Sequence, residues 1–283
     1  MAKCISYSLF GYDKTYNNCY EFKSYLRNME INIRMNKLIY PDWITHIVLD
    51  EQTYNSEYKE IFDYHKNAGY INLSIVPQEE LCKMMLFRLI PCFLQEEEGV
   101  QKYDRVICRD SDSIPTYREA QAVEYWISTG RIVHAITDSV SHNIPLMGGM
   151  IGFQTNQFRK EMGCRTFEKL MELSKGIDFN IKGSDQTFLN QVVLPKIAYS
   201  MVEHYVLGLP QSFRGECYNY IQDITLSIPE ELRESNILVN HIGQAGFIME
   251  PVLKFLEKYQ SQEDKDHFEN IEKQFPNLFY WYL

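Results

Sequence analysis

The sequence predicts an α/β protein with a mainly parallel central sheet flanked by helices and a C-terminal helical tail. Three observations carry this. Segments of strand character alternate with segments of helical spacing through the first 110 residues. Strand candidates such as Ile47-Val48-Leu49 are apolar runs suited to burial. The 283 residues are 45% hydrophobic and 14% aromatic, with 20 Tyr and 16 Phe, enough for a sizeable core.

Cys4 to Phe10 reads as a first strand, ended by the turn signal Gly11-Tyr12-Asp13-Lys14. Tyr20 to Lys37 has helical spacing, and Pro41-Asp42-Trp43 punctuates before a strand from Ile44 to Asp50. A helix from Asn55 to Ala68 stops at Gly69, and a short strand follows from Ile71 to Val76. Glu79 to Leu94 is helical with a kink at Pro91, and Gln95 to Gly99 ends it. Arg105 to Cys108 is the next strand. Arg118 to Thr129 is a helix with Arg118, Glu119 and Glu124 exposed and Ala122, Val123 and Trp126 inward, and Arg131 to Thr137 is a strand. Pro145 to Phe153 reads as a glycine-rich strand, where absent side chains permit close approach by a ligand or another backbone. Helices follow at Asn156 to Glu161, Arg165 to Lys175 and Ser184 to Val193. Tyr218 to Glu234 reads as loop and Ile237 to Ile242 as a late strand. Pro251 to Tyr259 begins a helix that the charged segment Gln262 to His267 interrupts. One domain over residues 1–256 with a tail over 257–283 is expected.

A formal net charge of −10 argues against nucleic-acid binding through the overall field. Seven cysteines, an odd number with no C-x-x-C pair, give neither a disulfide framework nor a zinc pattern. Reduced thiols in the cytoplasm fit best. The N-terminal apolar run is too short for a signal peptide, and no stretch approaches the roughly 20 apolar residues of a transmembrane segment.

Val106-Ile107-Cys108-Arg109-Asp110-Ser111-Asp112-Ser113 is the most informative stretch. Two carboxylates one residue apart stand where the chain leaves a buried strand, and both can reach one ion. Carboxylate oxygens suit Mg²⁺ or Mn²⁺, which share their shells with substrate phosphates. Alone the pattern is weak, because Asp is common in loops after strands. Further along stand Gly148-Gly149-Met150, the run Gly183-Ser184-Asp185-Gln186-Thr187-Phe188-Leu189-Asn190, and Asn240-His241-Ile242-Gly243; Arg88 precedes them all.

In this ordered set, over roughly residues 4 to 256, the sequence resembles the GT-A (Rossmann-like) glycosyltransferases. It is most like the branch with the retaining family-8 galactosyl- and glucosyltransferases, and it also resembles their bacterial and viral relatives. The resemblance implies transfer of a sugar from a nucleotide-diphosphate donor, with uridine the expected base, to a glycan acceptor, with Mn²⁺ or Mg²⁺ as cofactor. It implies that Tyr7, Ser8 and Phe10 hold the base and ribose, and that Arg88 contacts the donor's phosphate or sugar. Asp110 and Asp112 match the metal motif around Ser111, and His241 the histidine that completes the metal shell. Gly148 and Gly149 match the strand that floors the sugar pocket, Asp138 is a partner for sugar hydroxyls, and Asp185-Gln186 stands beside the reacting carbon. The sequence departs where the family places a diphosphate-gripping lysine after the late histidine: here Gln244-Ala245-Gly246-Phe247 follow.

Two other readings compete. A phosphatase with an aspartate nucleophile also uses D-x-D at a strand end, but it wants Thr or Val where Ile114 stands. A binding module that keeps the fold without turnover is the other. The aromatic end, Phe279-Tyr280-Trp281-Tyr282-Leu283, is expected to dock on the core, with a homo-oligomer interface the alternative.

Overall fold

The computed structural model describes residues 2–12, 19–95, 100–139, 144–205, 216–217, 235, 238–239 and 241–276. The chain opens with β1 (Ala2–Leu9), α1 (Cys19–Ile39), β2 (Trp43–Asp50), α2 (Glu51–Tyr54), α3 (Lys59–Asn67) and β3 (Ile71–Val76). Next come α4 (Leu81–Met85), a 3₁₀ segment (Leu86–Phe93), β4 (Tyr103–Arg109), α5 (Tyr117–Thr129), β5 (Val133–Thr137) and β6 (Met150–Gln154). Then follow α6 (Thr155–Met162), α7 (Phe167–Met171), α8 (Ser184–Phe188), a π-helical turn (Leu189–Val193), α9 (Leu194–Ile197) and β7 (Met201–Tyr205). The described part ends with β8 (Glu216–Cys217), α10 (Met249–Tyr259) and α11 (Gln262–Gln274).

The eight described strands form one sheet in the order β3-β2-β1-β4-β6-β5-β7-β8. Every neighbouring pair is parallel except those of β6, which runs antiparallel to both β4 and β5. The expected α/β architecture, a mainly parallel sheet covered by helices, is the one found. The pleat sorts side chains to two cores. Cys4, Val106, Cys108, Ile151 and Phe153 face the 3₁₀ segment, α6 and α7. Ile5, Tyr7, Ile47, Leu49 and Ile107 face α1, α5, α10 and α11.

Several local expectations change. The helix expected from Asn55 begins later, at Lys59 as α3, and a separate short helix, α2, precedes it where the Asp50 carboxylate caps the N–H of Thr53 at 2.9 Å. Pro91, which has no N–H, sits inside a 3₁₀ segment rather than a kinked α-helix. Only residues 150–154 of the glycine-rich stretch are strand; before them, the N–H and C=O of Leu146 bond the Asn190 side chain instead of a neighbouring strand. β7 was not expected, since its Glu203 and His204 disguise a buried strand. Of the late strand expected at Ile237 to Ile242, the described residues 238, 239, 241 and 242 form bends and a turn, and the Ile242 N–H goes to the Asp138 side chain at 2.7 Å.

The charged Gln262 to His267 segment does not interrupt a helix but begins a new one, α11, capped by Ser261. The 256/257 boundary lies inside α10, and Val252, Phe255 and Leu256 share a core with Phe268 and Ile271. The loop expected at Tyr218 to Glu234 and the aromatic end at Phe279 to Leu283 lie outside the described residues. No helix among the described residues is long and apolar enough to cross a membrane.

Candidate active site

The reversed strand assembles the site. Because β6 is antiparallel to β4, its first residue, Met150, pairs with the last residue of β4, Arg109. Asp110 therefore leaves the sheet beside Gly149, at the carboxyl ends of β1 and β4. This is where open α/β sheets bind ligands. The fit is tight: a Cβ on Gly149 would overlap the Asp110 carboxylate. Gly148 is roomier, its Cβ position lying 3.7 Å from Asp185 Oδ2 and 3.8 Å from Arg88 Cζ. Arg88, Asp110, Gly148, Gly149 and Asp185, drawn from four segments, thus converge.

Arg88 is buried on the 3₁₀ segment and donates Nε to the Met85 carbonyl at 2.6 Å. Its Nη1 pairs with Asp110 Oδ1. Burial opposes its charge, and Asp110 first, with Cys108 and Asp185 behind it, more than restores it. The two partners differ in access: the Asp110 side chain is 48% exposed and that of Arg88 8%. Burial first, then the charge of Asp110, pushes the Asp112 carboxyl above its ordinary value, with Arg88 opposing. Burial likewise raises Asp185, and Arg88 again pulls the other way. Three carboxylates thus share one guanidinium.

A buried framework sets the turn. Asn32 donates to the Ser111 carbonyl at 2.9 Å, and Ser113 Oγ donates to the Asp110 carbonyl at 3.1 Å. Arg109 bonds Glu119 at 2.6 Å and donates to the carbonyls of Cys108 and Ile151, which ties β4 to β6 directly behind Asp110 and Gly149. Asn190 is the clamp on the other side. It exchanges two hydrogen bonds with the backbone of Leu146, at 3.0 and 2.9 Å, and donates to the Gln186 carbonyl at 2.9 Å. The glycine loop and the Asp185-Gln186 helix are joined through that one amide.

The remaining expected residues occupy different positions. Asp138 pairs with Arg118 and accepts from the Ile242 N–H, while its Oδ1 is buried with no hydrogen-bond partner among the described residues. Asp138 therefore latches the 241–246 segment, whose Gly246 N–H also bonds the Asp112 carbonyl at 2.7 Å. His241 Nδ1 lies 3.1 Å from the Ile242 carbonyl. Tyr7 is fully buried and donates its hydroxyl to Asn36 at 3.3 Å, so it packs the core and offers no surface to a base. Ser8 and Phe10 are half-buried near the end of β1, Phe10 against the core. Gln186 is half-buried in α8.

Among the described residues, no group of three or more His, Cys, Asp and Glu is disposed to hold an ion, so His241 does not complete a shell with Asp110 and Asp112 in this arrangement. The two carboxylates by themselves suit a hard cation of the Mg²⁺ type. Such ions are commonly held by one or two carboxylates plus substrate phosphates. Asn32 and Arg109 were not anticipated from sequence, while Arg118 and Glu119, expected on the exposed face of their helix, are turned inward to Asp138 and Arg109, Glu119 being fully buried; a charged pair inside an apolar strand-helix pattern is the signal that marks Arg109 and Glu119. Asn190 was visible in the Gly183 to Asn190 run.

No family model matches the chain, and no curated protein sequence matches it. Solved structures give distant likenesses. A protein assigned as a nucleotide-diphospho-sugar transferase, from Desulfovibrio desulfuricans G20, is 13% identical with a TM-score of 0.43, over 77% of this chain and 82% of that one. The glycosyltransferase GlyE of Streptococcus pneumoniae TIGR4 is 14% identical with a TM-score of 0.42, over 72% of this chain and 45% of that one. A protein assigned as a glucose-1-phosphate thymidylyltransferase, from Bacillus anthracis and bound to sucrose, is 10% identical with a TM-score of 0.42, over 73% and 87%. Likenesses this distant leave the function to be reasoned from the chain's own residues.

Proposed function

We propose that the chain is a metal-dependent GT-A glycosyltransferase that moves a sugar from a nucleotide-diphosphate donor, with uridine the favoured base, to a glycan acceptor. The observation that carries this reading is the convergence of Arg88, Asp110, Gly148, Gly149 and Asp185 at the carboxyl end of β4. Two carboxylates for a cation, a guanidinium for phosphate, a side-chain-free floor and a separate acid match the four demands of the reaction.

Asp110 and Asp112 would hold Mn²⁺ or Mg²⁺, which supplies charge neutralisation for a departing diphosphate. Arg88 donates N–H groups to the phosphate oxygens as the glycosidic bond breaks. Gly148 leaves the floor clear for the sugar, and Gly149 leaves the room that the Asp110 carboxylate occupies beside it. Asp185 lies across that floor from Asp110, where its carboxylate shields the electron-poor anomeric carbon, with Gln186 beside it. With retention, the departing phosphate takes the acceptor's proton; with inversion, Asp185 takes it, and a carboxyl raised by burial suits a base.

A thermal-shift screen of nucleotide sugars with and without Mn²⁺ tests the reading. A ligand that prefers the folded chain raises its melting temperature, and a uridine diphosphate sugar should do so more strongly with the cation than without it. Asp112→Ala should abolish the cation-dependent shift while leaving the ligand-free melting temperature nearly unchanged. A shift that keeps its manganese dependence in that variant would remove Asp112 from the metal site. The lysine missing after His241 favours a second reading, a binding module without turnover. Donor binding with no nucleotide release from any donor would decide for it.

A further inference from the structure

We propose that Arg88 makes this site selective for a cation and a diphosphate together, by occupying the Asp110 carboxylate until an anionic group draws it away. The proposal rests on the metal-dependent reading above and extends it to the order in which the site fills.

Three arginines stand around the β4 end, and two are committed inward: Arg109 to Glu119, and Arg118 to Asp138. The partner of Arg88 is the half-exposed Asp110, a candidate cation ligand. The bond from Nε to the Met85 carbonyl limits how far the guanidinium can swing. A free dication approaching Asp110 therefore meets a fixed positive charge on the same carboxylate. Its other candidate ligands give little compensation, since no three-residue shell is pre-formed among the described residues.

A diphosphate changes the balance. Gly148 has no side chain, and the Cβ it lacks would meet Asp185 Oδ2 at 3.7 Å and Arg88 Cζ and Nη1 at 3.8 Å, so a methyl-sized gap lies beside the guanidinium. Phosphate oxygens reaching the guanidinium accept from Arg88 in place of Asp110. Asp110 is then released to the cation that the same phosphates carry. Guanidinium suits this exchange because its planar fork recognises carboxylate and phosphate alike. Arg88 thus does opposite things to the two ligands: it weakens the cation alone and strengthens the diphosphate.

Opposite signs are what the experiment reads. Mn²⁺ binding to the full chain is followed by electron paramagnetic resonance, and UDP binding in metal-free buffer by calorimetry, for the native chain, Arg88→Gln and Arg88→Lys. Arg88→Gln should bind Mn²⁺ alone at least about tenfold more tightly than the native chain, and UDP without metal at least about tenfold more weakly. Arg88→Lys, which keeps the charge, should stay near the native Mn²⁺ affinity. Arg88→Gln binding Mn²⁺ no better than the native chain would overturn the proposal, provided both bind it once UDP is added. If neither takes Mn²⁺ even with UDP, the metal-dependent reading itself falls. Should Arg88→Gln fail to fold, the native chain decides: Mn²⁺ bound as tightly alone as with UDP overturns the proposal.

Discussion

Gly149 shows how much one absent methyl group decides. Adding a Cβ would force the Asp110 carboxylate, and Arg88 with it, out of position, whereas a Cβ on Gly148 meets its neighbours at ordinary contact distances. Gly149→Ala should therefore cost about 1–3 kcal/mol of stability, as overpacking does, and weaken cation-dependent donor binding roughly 10²-fold. Gly148→Ala should fold normally and narrow only the sugar floor. Melting curves with and without donor separate the two effects, and equal behaviour of the variants would contradict the geometry. The sequence made both glycines visible as a pair but could not rank them. Their ranking depends on the antiparallel register of β6 against β4, a long-range fact that spacing does not encode.

At the scale of elements, the Asn190 amide bonds the glycine loop and the Asp185 helix at once. Asn190→Ala leaves the backbone groups of Leu146 without their partner. It should reduce donor turnover about tenfold while costing roughly 1–3 kcal/mol of stability. Release of nucleotide from the donor, followed alongside urea unfolding, checks both. Elements with local signals were legible: β3 and α5 fall within a residue or so of their expected bounds because apolar spacing and Gly130 mark them. β7 was not legible, since polar residues in its middle find partners on the neighbouring strand. Glu203 accepts from Thr137 at 3.2 Å, and His204 bonds His134 at 2.9 Å. Tyr7 was misleading for a similar reason, because the partner of its hydroxyl, Asn36, comes from a different element.

Histidines buried in different parts of the molecule make its stability depend on pH. Burial lowers His46 to about 3, and His204 and His267 to about 4, from an ordinary 6.5. Between about 4 and 6.5 the unfolded chain binds protons at these sites that the folded chain refuses. Stability is therefore complete above pH 6.5 and declines as pH falls toward 4. Asp112 and Asp185, raised by burial, act with the opposite sign and offset part of this loss. The melting temperature should drop by several degrees between pH 7.5 and pH 5.0, and a flat profile would show that these histidines titrate normally. His267 matters most for the tail: it lies 3.0 Å from His65, which bonds Glu30 at 2.8 Å, and it stacks on Tyr70 at 3.8 Å. Its protonation loosens the grip of the sheet domain on α11.

The position of β6 also has a consequence for how the chain matures. β5 is made before β6, yet β6 lies between β4 and β5. Until β6 inserts, the parallel blocks on either side of it share no edge. It is a keystone made after both of its sheet neighbours, and Asp110 gains its glycine neighbour only as the keystone seats. Closure of the sheet and assembly of the candidate site are then a single event. Under the proposed function, a chain in which β6 has not seated cannot grip a nucleotide sugar, and binding of one would report that the sheet has closed.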